Sequence, residues 1–340
     1  MMSKNLLFNM LFTPSTILAS LMMVSGTGMA LTSSNWLFVW IGLEINMFSF
    51  IPLLMNSTMI KKYESASKYL LVQVMASMIM LYSSYMLNMT DELFMKNIYS
   101  SMLTFSLLMK LGVFPAYYWF PSVMQSCNWF GGMLLASWQK LAPAFILMAN
   151  ISLNYNNILM VIMILINTTI SGIIGSNQSD IKTIMAYSSM NHMGWFLIPF
   201  MYNMPNQSMY YLIMYLMMSV PIFIVMMMYS CDNPNNSNNL TEVNPNLKIS
   251  LLLMFLSLGG MPPLSGFTPK LMVLMILVKT NIMFAVIMMI ITCLSLYFYL
   301  RLAMNLLFSL IKMTTFNKLN SYMMTSIIVS FMLTPLLIYF

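Results

Sequence analysis

Eleven runs of roughly twenty mostly apolar residues follow one another along the chain, at about 5–26, 31–55, 66–89, 97–120, 129–150, 157–175, 181–201, 208–229, 249–279, 281–310 and 321–340. A helix rises about 1.5 Å per residue, so a run of this length crosses the ~30 Å hydrocarbon core of a bilayer. The composition agrees. Only 6% of the 340 residues are charged and 60% are hydrophobic, whereas a soluble domain spends about 25% of its residues on charge. A water-soluble surface cannot be assembled from this material, which excludes soluble enzymes, nucleic-acid binders and disordered scaffolds. The expected fold is an all-α integral membrane protein of about eleven transmembrane helices, 1–340 forming a single polytopic membrane domain. Lys4 before the first run imitates a signal peptide, but no small-residue cleavage site precedes a soluble domain, so an uncleaved first helix is expected.

Alternating the runs across the membrane sorts the cations. Lys4, Lys61, Lys62, Lys68, Lys182, Lys248, Lys312 and Lys318 fall on one side, and Lys96 and Lys279 on the other. That bias places the N-terminus on the cytoplasmic or matrix side and, with an odd number of spans, the C-terminus opposite. The Asn-rich stretch 230–248 reads as a polar loop between two halves, about 1–150 and 157–310, with a final helix at 321–340. Cys127, Cys231 and Cys293 stand far apart without metal-ligand spacing and read as free thiols.

Four cations remain inside spans: Lys110, Lys140, Lys270 and Arg301. An ionisable group at mid-membrane costs about 2.5–3.5 kcal/mol on insertion scales, so it marks a functional candidate. Glu44 and His192 are also central in their runs. Arg301 lies near a helix end and is expected to snorkel. Proline cannot donate to the carbonyl four residues earlier. Pro115 is therefore expected to free the carbonyl of Leu111 next to Lys110, with Gly112 loosening the turn. Pro143 is expected to free that of Gln139 next to Lys140, and Pro262 and Pro263 those of Leu258 and Gly259 before Lys270. Gly259 and Gly260 add to the last break. Such carbonyls persist at membrane depth only where protein or water satisfies them, so hydrated pockets are expected. The broken spans, near 110–115 and 259–270, are the fourth and ninth. Five apart, they cross in opposite directions, as in the inverted repeats of secondary transporters. Spans two and seven, carrying Glu44 and His192, are also five apart.

These groups could move protons. Desolvation favours a neutral amine and a nearby carboxylate favours the ammonium. A Glu44–Lys110 pair that separates would thus switch Lys110, with Lys140, Ser188, Ser189, His192 and Lys270 passing the proton onward. The opposing reading is that the charges only staple helices together.

At these residues a resemblance emerges. SSNWLFVWIGLEINMFSFIPLL (33–54), KLGVFPAYYWFPSV (110–123), WQKLAP (138–143), NHMGW (191–195) and SLGGMPPLSGFTPK (257–270) resemble, in order and spacing, the chain 2 family of mitochondrial NADH:ubiquinone oxidoreductase, respiratory complex I, of the arthropod type. The resemblance implies an antiporter-like subunit of the membrane arm that translocates protons. It implies a place in the mitochondrial inner membrane, N-terminus in the matrix and C-terminus in the intermembrane space. Its partners would be neighbouring antiporter-like and other membrane-arm subunits, lipids, protons and internal water, with no nucleic acid. No cofactor or metal would be bound by this chain; NADH, flavin, iron–sulfur clusters and ubiquinone would belong to partner subunits. By motif, Glu44 resembles the carboxylate paired with the broken-helix lysine, Lys110. Lys140 resembles the relay lysine, His192 a histidine of the central polar axis, and Lys270 the lysine at the second break. Two positions depart from the family: Tyr117 stands where a histidine is usual, and Leu271 where a tryptophan is usual. Tyrosine does not titrate near neutral pH, so a relay role at 117 is not carried over. SGTGMAL (25–31) lacks the third glycine and the preceding strand of a dinucleotide site. A stand-alone cation/proton antiporter and a structural membrane-arm spacer remain as alternatives.

Overall fold

The computed structural model describes residues 14–55, 60–149, 157–232, 245–262 and 264–311. Every regular element among them is a helix: α1 (Pro14–Thr32), α2 (Trp36–Leu54), α3 (Ile60–Met89), α4 (Leu93–Leu111), α5 (Trp119–Ser126), α6 (Trp129–Ala136), α7 (Trp138–Ala149), α8 (Asn157–Ser176), α9 (Ile181–Met201), α10 (Pro205–Asp232), α11 (Pro245–Gly259), α12 (Phe267–Thr280) and α13 (Ile282–Ile311). The protein is an all-α integral membrane protein. Seven spans among the described residues are long and apolar enough to cross a bilayer, α6 and α7 counting as one. Their outward side chains include Leu21, Leu71, Met75, Ile290 and Met283, a surface suited to lipid rather than water. The final run 321–340, most of the loop 230–248, Pro263, Lys4, Lys312 and Lys318 lie outside the described residues.

The spans that fail this apolar test are informative. α4 carries Lys96 and Lys110, and the ninth run is split into α11 and α12. α9 carries Ser188, Ser189, Asn191 and His192, yet every residue from Thr183 to Met201 is buried. A helix enclosed on all sides meets protein instead of lipid, so it can carry polar groups provided they find partners.

The chain folds as two compact units, residues 1–167 and 168–340, the division falling inside α8. In the first unit α1 packs on α2 and α7, α3 on α2, α4 and α5, and α4 also on α7. Asn35 begins α2, its side chain accepting from the Leu37 N–H at 3.3 Å, the usual way to satisfy a free amide at a helix start. In the second unit α10 packs on α9, α11 and α12, and α13 on α9, α11 and α12.

The breaks differ in cause from what the prolines alone suggest. α4 ends at Leu111, before Pro115, because Gly112 takes a left-handed conformation, φ 71°. The Gly112 N–H bonds the Met109 carbonyl and the Val113 N–H bonds that of Leu108, both at 3.1 Å. This 5→2 and 6→1 pair is a Schellman stop, which glycine enters without steric cost. α11 ends in the same way. Gly260 has φ 78°, its N–H bonds the Ser257 carbonyl at 3.0 Å, and the Met261 N–H bonds that of Leu256 at 3.4 Å. Pro115 and Pro262 therefore lie beyond completed helix ends and free no carbonyl of a running helix. Gly259 is the last residue of α11. Pro143 does sit inside α7, and the interruption it accompanies falls at Ser137, between α6 and α7. A ring that cannot accommodate the carbonyl four residues back bends the helix upstream of itself.

Candidate functional site

In the first unit the candidate groups sit on three helices. Lys110 occupies the last turn of α4 and is 6% exposed. The backbone carbonyls of a helix end carry about half a negative charge, so a cation there is favoured. Glu44, half-buried on α2, lies within electrostatic range of both Lys110 and Tyr69. Glu44 and Lys110 form no direct ion pair; the side-chain ion pairs seen at 2.6 and 3.9 Å, Lys68–Glu64 and Lys96–Asp91, are exposed. The structure thus brings the expected pair into one neighbourhood while leaving it apart. Lys140, 2% exposed on α7, lies over the Phe120 ring with its Nζ 4.7 Å from the centroid, a cation–π contact.

A network of neutral groups surrounds these charges. The Tyr69 hydroxyl donates to Gln139 Oε1 at 3.2 Å, and Gln139 Nε2 donates to Asn46 Oδ1 at 3.1 Å. α3, α7 and α2 are joined by this chain, which runs from the residue before Lys140 to the second residue after Glu44. Around the α4 stop, Gln73 Nε2 donates to the Lys110 carbonyl at 3.4 Å and Trp119 Nε1 to that of Met109 at 3.2 Å. The Phe114 N–H, beyond the stop, is taken up by Asn167 Oδ1 at 3.2 Å. Buried backbone groups must be paired, and these side chains do it. Sequence reasoning missed Asn46, Tyr69, Gln73, Gln139 and Asn167. Asn46 and Gln139 stand next to charged candidates and are legible as neutral polar residues inside spans. Tyr69 is one of 18 tyrosines and carries no such signal. Tyr117 is buried and stacks on Tyr118 with ring centroids 4.1 Å apart, so it serves as packing at the break.

The second unit holds the other two groups. His192, 1% exposed on α9, shares a 2.9 Å hydrogen bond between Nδ1 and the Tyr211 hydroxyl, and its ring lies 5.2 Å from that of Tyr215. Ser189 stands beside Tyr215 and Ser188 beside Tyr299. The expected polar centre on α9 therefore exists, and three tyrosines from α10 and α13 complete it. Lys270, on α12, is 6% exposed and donates from Nζ to the Gly259 carbonyl at 2.8 Å. Its ammonium caps the C-terminal end of α11. A Cβ on Gly260 would stand 3.0 Å from both Cδ and Nζ of Lys270. One on Gly266 would stand 1.7 Å from the Ser257 carbonyl oxygen, so the turn into α12 admits no side chain there. Arg301 donates to the Gln178 carbonyl, a structural tie at the end of α8.

Two buried lysines at the C-terminal ends of interrupted helices, a third on a kinked helix and a histidine among tyrosines can hold and release protons. Comparison with known proteins points the same way. The family model described as NADH:quinone oxidoreductase/Mrp antiporter, TM, matches residues 33–296. NADH-ubiquinone oxidoreductase chain 2 of Lumbricus terrestris is 35% identical over 293 residues, 86% of this chain and 87% of that protein. Chain 2 of Lemur catta is 40% identical over 283 residues, 82% of this chain and 81% of that one. A chain of the solved structure described as respiratory complex I from Thermus thermophilus with bound aureothin superposes with a TM-score of 0.77 at 18% identity, covering 92% of this chain and 75% of its own length. On the matched helices and on identity across most of its length, the chain belongs to the NADH:quinone oxidoreductase/Mrp antiporter family, among the NADH-ubiquinone oxidoreductase chain 2 proteins.

Proposed function

We propose that the chain is a proton-translocating core subunit of the membrane arm of NADH:ubiquinone oxidoreductase. The observation that carries the reading is the pair of buried lysines at the two helix stops, Lys110 in the last turn of α4 and Lys270 with its ammonium on the last carbonyl of α11. A neutral amine there takes a proton from water, the helix end stabilises the resulting ammonium, and release to water on the other side completes the transfer. Glu44 modulates the first lysine through its field. Lys140, held by Phe120, and His192, held by Tyr211, serve as further stations in their own units. No bond of a redox substrate is made or broken by this chain. NADH oxidation, flavin, iron–sulfur clusters and ubiquinone reduction are assigned to partner subunits, among them neighbouring antiporter-like chains. The place of the protein is the mitochondrial inner membrane, in contact with lipids, internal water and protons. The excess of lysines on one set of loops supports an N-terminus in the matrix and a C-terminus in the intermembrane space.

The test is Lys110→Met in the assembled complex. Protons translocated per NADH oxidised should fall several-fold while the complex still assembles. Full translocation by that variant would leave the chain as a spacer and sink the proposal. The family model also covers Mrp antiporters, which keeps a second reading in view. A stand-alone antiporter would exchange protons for Na⁺ or K⁺ as an isolated chain in vesicles, whereas the subunit reading requires the complex.

A further inference from the structure

Phe120, on α5, is confined from three directions. It is 1% exposed, and the left-handed Gly112 that stops α4 lies against it. A Cβ on Gly112 would stand 2.9 Å from Phe120 Cβ and 3.0 Å from its Cγ and Cδ2. Those separations are too short for real side-chain contacts, so the ring occupies the space that the missing side chain leaves. The stop holds the preceding residue as well. Trp119 Nε1 donates to the Met109 carbonyl at 3.2 Å, the same carbonyl that the Gly112 N–H bonds at 3.1 Å. The Trp119 and Phe120 rings meet edge to face, with centroids 5.5 Å apart at 83°. Fixed along its Cβ–Cγ edge, Phe120 presents a ring face to Lys140, whose Nζ is 4.7 Å from the centroid. A second tie runs the same course. Trp119 packs on Tyr69 at 5.6 Å, and the Tyr69 hydroxyl donates to Gln139, the neighbour of Lys140.

Lys110 stands two residues before Gly112. One helix stop therefore carries a lysine on its helical side and, on its other side, the ring under a second lysine. A ring face attracts a cation only at short range, within about 6 Å of the centroid. Protein interiors are close-packed and pass displacements on to their neighbours. We propose that Phe120 is a positioning residue for proton translocation: seated on Gly112, it fixes the place of the Lys140 ammonium relative to the α4 stop, so that a shift of the stop moves the ring face that holds Lys140. Trp119 keeps the ring in this orientation through its hold on the Met109 carbonyl. The role of Phe120 in translocation rests on the chain being a proton-translocating subunit; its seat on Gly112 does not.

Phe120→Leu keeps an apolar group and removes the ring face, whereas Phe120→Tyr keeps the face. In the assembled complex, Phe120→Leu should translocate several-fold fewer protons per NADH and Phe120→Tyr should retain most of the unaltered yield. A ring that only filled space would be replaced by leucine without loss, so equal yields from the Leu, the Tyr and the unaltered protein overturn the proposal. Equal losses in the Leu and Tyr variants would report packing and overturn it as well. A double-mutant cycle asks whether Phe120 acts through Lys140. In a Lys140→Met background, Phe120→Leu should lower the yield no further. If it lowers the yield by the same factor in both backgrounds, Phe120 does not act through Lys140 and the proposal falls. If Phe120→Leu does not assemble, Phe120→Met fills the space with a flexible apolar chain and is read in the same two ways. Intact translocation by Phe120→Leu, with Lys110→Met still abolishing it, removes only the positioning role; full translocation by Lys110→Met removes the function.

Discussion

Lys110, Lys140 and Lys270 are all buried, and each is held differently. Lys110 lies in the last turn of its helix within the field of Glu44, Lys140 lies against an aromatic face, and Lys270 is held by a backbone carbonyl across a turn. Lys140 and Lys270 share an ammonium beside a partial negative charge, the Phe120 ring face or the Gly259 carbonyl. A tight pair would lock the proton in place, whereas dipoles and ring faces hold a cation and still let it go. Two predictions belong at this scale. Lys270→Arg retains a permanent positive charge that can still cap α11, but guanidinium does not give up its proton. The assembled complex should therefore keep its thermal stability and lose proton translocation; a full proton yield per NADH from this variant would contradict the assignment of Lys270. Lys140→Met gives up a cation–π contact of about 0.5–2 kcal/mol and also removes the burial cost of a charge. Replacing a buried charge by an apolar group of similar size is often neutral or stabilising. Melting of the complex should shift little, while proton yield falls.

At the scale of elements, two helices stop inside spans through the same six-residue device, turning on Gly112 and Gly260. Each stop satisfies the carbonyls two and three residues before the helix end, and side chains take up others. Gln73 and Trp119 serve at the first stop, Lys270 at the second. Gly260→Ala forces an L side chain into the left-handed region at about 1–2 kcal/mol and presses its Cβ on Lys270. It should lower both the yield of assembled complex and the protons moved per NADH. Gly266→Ala sets a Cβ 1.7 Å from a backbone oxygen, a clash no rotamer relieves, and should abolish accumulation of the chain. Asn167→Leu leaves the Phe114 N–H unpaired in an enclosed site, a loss of about 1–3 kcal/mol. That variant should show faster amide exchange at residues 112–115, measured by hydrogen–deuterium exchange; unchanged protection there would mean Asn167 is not the partner that matters.

At the scale of the whole molecule, the inside is more polar than a soluble core and the outside more apolar than a soluble surface. Ser77, Ser106, Asn167 and Thr168 are fully enclosed, while Leu71 and Met283 point outward at 64% and 76% exposure. Leu71→Asp should lower membrane insertion and assembly by about 2.5–3.5 kcal/mol of insertion free energy, read as reduced accumulation in the membrane. Leu71→Phe should change nothing. Membrane residence, the bounds of most described spans, and the identity of the few ionisable interior groups followed from the sequence alone, because charge is so scarce here that each interior lysine stands out against an apolar run. The cause of the breaks did not follow. Pro115, Pro262 and Pro263 are conspicuous in the sequence, yet the helices end at Gly112 and Gly260, since a left-handed stop depends on φ and on which carbonyls it reaches. Nor did the partners follow. Tyr69, Gln73, Gln139 and Asn46 join α2, α3, α4 and α7 across as many as 93 residues of chain. Hydrophobic patterning is local and shows where a charge sits along its helix. Which groups hold that charge is a matter of helix faces, and only the packed structure decides which faces meet.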